Sequence, residues 1–202
     1  MALRLEPAER AALADLLLAL GPEAPTLCAG WQARHLAAHL VLRESKPLAA
    51  MGITLRPLRP LTEKTLRRLA DGDFALLVER IRTGPPWWSP AGLPALREAV
   101  NGIEFFVHHE DVRRARPGWQ PRPLPAAVED ELWRRLRRLA PLVARGAAAT
   151  GRSRAVELRR TDTGDVIRTR RSQAAVTVVA GPPSELLLWI FGRRDHARVT
   201  TS

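Results

Sequence analysis

Gly30-Trp31-Gln32-Ala33-Arg34-His35-Leu36-Ala37-Ala38-His39-Leu40-Val41-Leu42-Arg43-Glu44-Ser45 reads as a helix over residues 31–45 that ends before Pro47. Its apolar residues surround the axis rather than lining one stripe. A helix of that kind has to be buried. His35 and His39 are four residues apart, so at about 100° per residue they project from one face a turn apart.

Helical patterns flank this stretch on both sides. Residues 7–20 open with Pro7 in the first turn, carry Leu13, Leu16, Leu17 and Leu20 at helical spacing, and stop at Gly21-Pro22. A third helix starts at Thr62-Glu63 and runs to about Arg82, with a break suggested at Asp71-Gly72. A fourth runs from Pro94 to about Arg116. A fifth covers 125–145, with Glu129, Asp130 and Glu131 early and arginines later, the order that suits the helix dipole. The pattern then changes. Ala155–Arg160 and Val166–Arg171 flank the turn sequence Thr161-Asp162-Thr163-Gly164-Asp165, and Ala174–Ala180 reads as a third strand. Ser184 is placed to cap a last helix from Glu185 to about Gly192. The fold expected is mainly α: an antiparallel four-helix bundle over residues 1–150, followed over 151–202 by a small α+β domain of three strands and a helix.

Glu104 and His108 repeat the four-residue spacing on the fourth helix. With Glu104 as the reference direction, Val100, Val107, His108 and Asp111 lie within about 60° of it, so both polar groups fall in an apolar stripe. A carboxylate there needs a metal or a strong partner. His109 points about 100° away from His108 and is left out of the site. Asp111 is placed to orient a ligand. Two readings remain open on spacing alone: the two helices grip one divalent cation, or Glu104 pairs with an arginine such as Arg43 and the histidines are ordinary core residues.

The 202 residues carry 32 Lys+Arg against 21 Asp+Glu, a formal net charge of +11. Only Lys46 and Lys64 are lysines, and many of the arginines fall in scattered pairs such as Arg134/Arg135 and Arg170/Arg171. A cationic surface attracts phosphate. The chain has no Tyr, however, and its Phe and Trp are not interleaved with the arginine pairs, so the stacking platform of a single-strand nucleic-acid binder is missing. The apolar run Leu186–Phe191 is far too short to cross a bilayer, and the N-terminal residues lack the apolar stretch of a secretory signal. No membrane partner and a cytoplasmic location are expected. The single cysteine, Cys28, permits no intramolecular disulfide, which suits a reducing compartment.

The segment Pro25–Leu40, with Gly30-Trp31 followed by a helix carrying Ala38-His39-Leu40, resembles the N-terminal signature of mycothiol-dependent maleylpyruvate isomerase-like proteins, members of the DinB superfamily of metal-binding bundles. Glu104-Phe105-Phe106-Val107-His108-His109-Glu110-Asp111 is similar to the family's Glu-x-x-x-His-x-x-Asp helix, and Gly181–Arg193 resembles its small C-terminal domain. With His-Leu-Val-Leu-Arg-Glu at His39–Glu44, the chain is similar to an actinobacterial subfamily of unassigned activity. The resemblance implies a metal held by His39, Glu104 and His108, with Asp111 beside them; Arg43, near His39 on the helical wheel, and His35 are expected next to the site as supporting residues. It also implies mycothiol as cosubstrate, and Arg193 as the residue that meets the substrate. Position 35 is usually acidic in the family; His35 is read as a surface or supporting residue in preference to a fourth ligand. Cys28 is read as structural and Trp31 as core packing.

Two imidazoles and a carboxylate leave positions open on a zinc-like ion, as catalytic sites require, and Zn2+ is the expected metal. The implied partners are a low-molecular-weight thiol and a small, acidic electrophile, and the implied activity is a thiol-dependent isomerase or S-transferase. The alternatives are a metal-dependent hydrolase, a metal-binding protein without turnover and, weakest, a basic nucleic-acid partner.

Overall fold

The computed structural model describes residues 4–89, 101–149, 155–168 and 176–202, and these divide by their contacts into two units, 4–120 and 121–202. In the N-terminal unit, α1 (Leu5–Leu20) fully buries Leu13 and Leu17, one turn apart, and stops at Gly21. The φ of 81° there is one that glycine adopts without strain. In α2 (Ala33–Ser45) nine of the 13 residues are buried, as its all-round apolar pattern requires. Ala33, Ala37 and Ala38 carry nothing beyond Cβ, which lets neighbouring helices come close.

After α3 (Pro47–Met51) and a 3-10 turn at Arg56–Leu58, the stretch expected from Thr62 to Arg82 forms two helices, α4 (Arg59–Ala70) and α5 (Phe74–Thr83). The chain breaks at residues 71–73, where Asp73 accepts a hydrogen bond from the Leu76 amide (2.9 Å) as the cap of α5. In α4 only Ala70 is buried, whereas α6 (Gly102–Arg114) is buried on nearly every side. The start expected for α6 at Pro94, and Val100 with it, lie outside the described residues. Leu13 and Leu17 of α1, Leu36 and Leu40 of α2, Val78 and Ile81 of α5, and Phe105 and Val112 of α6 form one apolar core. Each large side chain so buried contributes about 1.5–3 kcal/mol of transfer free energy.

This unit also buries charge. The Arg10 guanidinium donates to Glu6 (2.5 Å), Glu44 (2.9 Å) and the Ile81 carbonyl (2.5 Å), and lies 4.2 Å from the centre of the Phe105 ring. Asn101 donates to the same Glu44 (2.9 Å).

The C-terminal unit opens with α7 (Ala126–Ala149), a helix the sequence reading assigns to the first domain but whose contacts group it with the strands that follow. Among the described residues the sheet has four strands rather than the three expected: β1 (Ala155–Arg160), β2 (Val166–Arg168), β3 (Val176–Gly181) and β4 (Thr200–Thr201), in the order β2-β1-β3-β4. β1 and β2 form the expected hairpin (Leu158↔Ile167), β3 runs parallel to β1 (Leu158↔Val179), and β4 is antiparallel to β3 (Val179↔Thr201). Two exposed threonines carry no alternation pattern, so β4 has no signal in the sequence. The expected ends of the second strand at Arg171 and of the third at Ala174 fall outside the described residues. Leu132, Leu136, Leu158, Val179 and the leucines of α8 (Pro183–Ile190) are fully buried. Ser184 does not cap α8. Pro182 takes the cap position, and Ser184 donates its amide and hydroxyl to the two oxygens of Glu129 (2.8 Å each). Among the described residues no helix is long and apolar enough to cross a membrane.

Candidate metal centre

α2 supplies His39, and α6 supplies Glu104 and His108, one turn apart. The possible ligand atoms of these three residues lie within 4.8 Å of one another. His108 Nε2 is 3.4 Å from Glu104 Oε2. That is the separation of two ligands on a tetrahedral zinc ion, about 3.4 Å for bonds of about 2.05 Å. The other ring nitrogen of His108 is 2.9 Å from Asp111 Oδ2. A carboxylate at Nδ1 keeps a proton there and turns Nε2 toward Glu104, the orientation a metal-ligating histidine needs. Asp111 is itself fully buried, and its backbone carbonyl accepts from the Leu27 amide (3.1 Å), which ties the loop before α2 to α6.

Charge follows this geometry. Burial first, then the charges of His108 and Arg43, lower the His39 imidazole to about 3, so it is neutral at pH 7 with a free lone pair. Burial pushes the Glu104 carboxyl up, but the hydrogen bond with His108 and the Arg43 guanidinium outweigh it and hold the group at about 2. For His108 burial acts downward and is outweighed by hydrogen bonds with Asp111, Cys28 and Glu104, which raise it well above the ordinary histidine value. One neutral imidazole, one carboxylate and one imidazole that has to lose a proton before it can coordinate therefore converge.

The residues read beside the ligands fare differently. Arg43, one turn beyond His39, places Nη1 2.6 Å from Glu104 Oε2, so the ion pair that spacing left as an alternative is present alongside the convergent donors. His35 is turned to the start of its helix: its Nδ1 accepts from the Gln32 amide (3.2 Å), and the Gln32 side chain accepts from the His35 amide. It belongs to neither group of convergent donors found among the described residues. His109 bonds Glu9 across to α1 (2.8 Å) and is not among those donors either. Arg193 lies in the C-terminal unit, where its Nη1 donates to the Phe191 carbonyl (2.5 Å).

Two neighbours of the site escaped the sequence reading. Cys28 Sγ sits 3.3 Å from Asp111 Oδ2, and Cys28, His108 and Asp111 make a second convergent group. The Trp31 ring lies 5.2 Å from His39, centre to centre, tilted by 55°. Both residues also pack against the core, as read. Their nearness to the histidines depends on the turn of residues 25–32, where Thr26 Oγ1 donates to the Trp31 carbonyl (2.8 Å), and helical periodicity does not describe such a turn.

No protein-family model matches the sequence, and no curated protein is significantly similar to it. Two solved structures are similar in fold. The crystal structure of the mycothiol-dependent maleylpyruvate isomerase matches with a TM-score of 0.53 at 17% identity, over 98% of this chain and 90% of that one. A histidine-to-alanine mutant of that isomerase matches with a TM-score of 0.51 at the same identity and coverage. The chain thus shares its fold with a mycothiol-dependent isomerase.

Proposed function

We propose that this protein is a divalent-metal enzyme of the mycothiol-dependent, maleylpyruvate isomerase-like kind, built on a DinB-like helix bundle, with His39, Glu104 and His108 as ligands and Zn2+ as the ion. The observation that carries this reading is the convergence of the three donors within 4.8 Å from two helices far apart in sequence. The donor set suits the ion: two imidazole nitrogens and one carboxylate, short of the four ligands of a closed structural site. When bound, such an ion supplies a positive centre at which a thiol loses its proton near neutral pH.

The chain's own groups do the rest. Asp111 holds the proton at Nδ1 of His108 and so fixes its tautomer. Trp31 shields one side of His39 from water. The resemblance assigns Arg193 to a carboxylate of an acidic electrophile, a role in which Arg193→Ala raises KM for that substrate far more than it lowers kcat. The cosubstrate is a low-molecular-weight thiol such as mycothiol, and attack of its sulfur on the electrophile gives either an isomerisation or an S-transfer.

Elemental analysis of the purified protein tests the first part of the reading. About one zinc per chain is expected in the wild type and none in His39→Ala; equal metal contents in the two would overturn it. Turnover of an electrophile only when the thiol is present tests the second.

A metal held without turnover is the competing reading, favoured by the second donor group of Cys28, His108 and Asp111. A cation there would use a thiolate and the other ring nitrogen of His108, Nδ1, in place of its proton. Cys28→Ala would then abolish zinc binding and Glu104→Gln would spare it, the reverse of what the enzyme reading requires.

A further inference from the structure

Glu104 Oε2 is claimed twice. It is the carboxylate oxygen nearest His108 Nε2, at 3.4 Å, and the same atom accepts the Arg43 guanidinium at 2.6 Å. A divalent cation drawn to His39, Glu104 and His108 therefore meets a fixed positive charge on one of its own ligands. Among the described residues Arg43 has no ion pair besides Glu104, while Asp111 is engaged with His108 and Cys28. Arg43 and Glu104 are only partly exposed (20% and 26%), so water screens the repulsion incompletely.

We propose that Arg43 makes metal loading and anion binding one coupled event: it opposes the cation when no anion is present and, once displaced from Glu104, holds an anionic ligand beside the metal. The inference rests on the three-ligand reading above and adds a coupling between the metal and an anion through Arg43. A guanidinium presents parallel N–H donors that match a carboxylate, so a carboxylate or another small oxyanion fits better than a neutral ligand. Linkage makes the effect reciprocal: an anion that relieves the repulsion tightens metal binding by the same factor by which the metal tightens anion binding.

The test measures zinc affinity by competition with a chromophoric chelator, with and without acetate, in wild type, Arg43→Gln and Arg43→Lys. Expected for the wild type is a gain in zinc affinity of about tenfold on adding acetate. Without acetate, Arg43→Gln should bind zinc at least about tenfold more tightly than the wild type and keep only a small part of the acetate effect. Arg43→Lys keeps the charge and should bind zinc without acetate as weakly as the wild type, while showing a smaller gain on adding acetate because the paired N–H donors are lost. Zinc binding weakened by Arg43→Gln, or an acetate effect as large in Arg43→Gln as in the wild type, would overturn the inference and leave the three ligands standing. If the wild type binds no more zinc than His39→Ala, the ligand reading falls and the inference with it.

Discussion

Two of the charge clusters in the N-terminal unit join α2 to α6 or to the residue just before it. In the first, Arg10 of α1 is surrounded by Glu6, Glu44 and the Ile81 carbonyl, with Asn101 on the remaining side of Glu44. In the second, His39, Glu104, His108 and Asp111 converge, with Arg43 at the edge. The first is closed: acceptors surround one cation, and every arm of the guanidinium has a partner. The second brings together three potential ligand atoms, with Arg43 to one side and a proton on His108 that a cation would have to displace. Buried charge by itself marks only a structural cost that has to be offset. Several acceptors aimed at one point mark a place for a cation.

That contrast orders the experiments. The largest effect belongs to the closed cluster. Arg10→Ala leaves Glu44 buried without its counter-charge and should cost about 3–5 kcal/mol of stability in urea unfolding. Zinc bound per folded molecule should stay unchanged. His39→Ala should do the opposite, weakening zinc binding more than about 100-fold while shifting the stability of the metal-free protein by only about 1 kcal/mol. If Arg10→Ala abolished zinc binding in the folded protein, the two clusters would be one functional unit.

Asp111→Asn should fall between them. An amide no longer anchors the Nδ1 proton as a carboxylate does, and zinc affinity should drop about 10- to 100-fold. The smallest effect is on pH. The folded pKa of His108 is raised, so the imidazole carries a proton at neutral pH and has to release it to coordinate. His39, at about 3, and Glu104, at about 2, have already lost theirs. Zinc affinity should therefore rise with pH, by at most about tenfold per unit, until His108 deprotonates unaided. Calorimetry in buffers of different ionisation enthalpy should show about one proton released per zinc bound at pH 7. Release of two would place a proton on His39 as well.

Much of the fold was legible along the chain, because helices announce themselves locally. The all-round apolar pattern of α2, the Gly21 stop and the break near Asp71-Gly72 all appear where the residues indicate. The hairpin between β1 and β2 turns at Gly164, whose φ is 77°. Elements without a local signature were not legible. β4 is two residues long, and the parallel pairing of β3 with β1 joins segments about twenty residues apart. The grouping of α7 with the sheet depends on which apolar face meets which, and an amphipathic helix of either unit has the same pattern. The site divides in the same way. Glu104 and His108 were expected inside an apolar stripe, whereas α6 is buried on nearly all sides and Glu104 itself stays partly exposed.

Periodicity along α2 and α6 settles that His35 shares a face with His39, and Glu104 with His108, because a turn of 3.6 residues leaves no other choice. It says nothing of what those faces meet. Packing of one helix against another brought His39 to the Glu104–His108 pair, spent His35 on the helix start, and set Arg43 against the same oxygen that a cation would claim. Directions within a helix come from bonds a few residues apart. Distances between helices come from side chains scattered along the whole unit, and no short stretch of residues contains them.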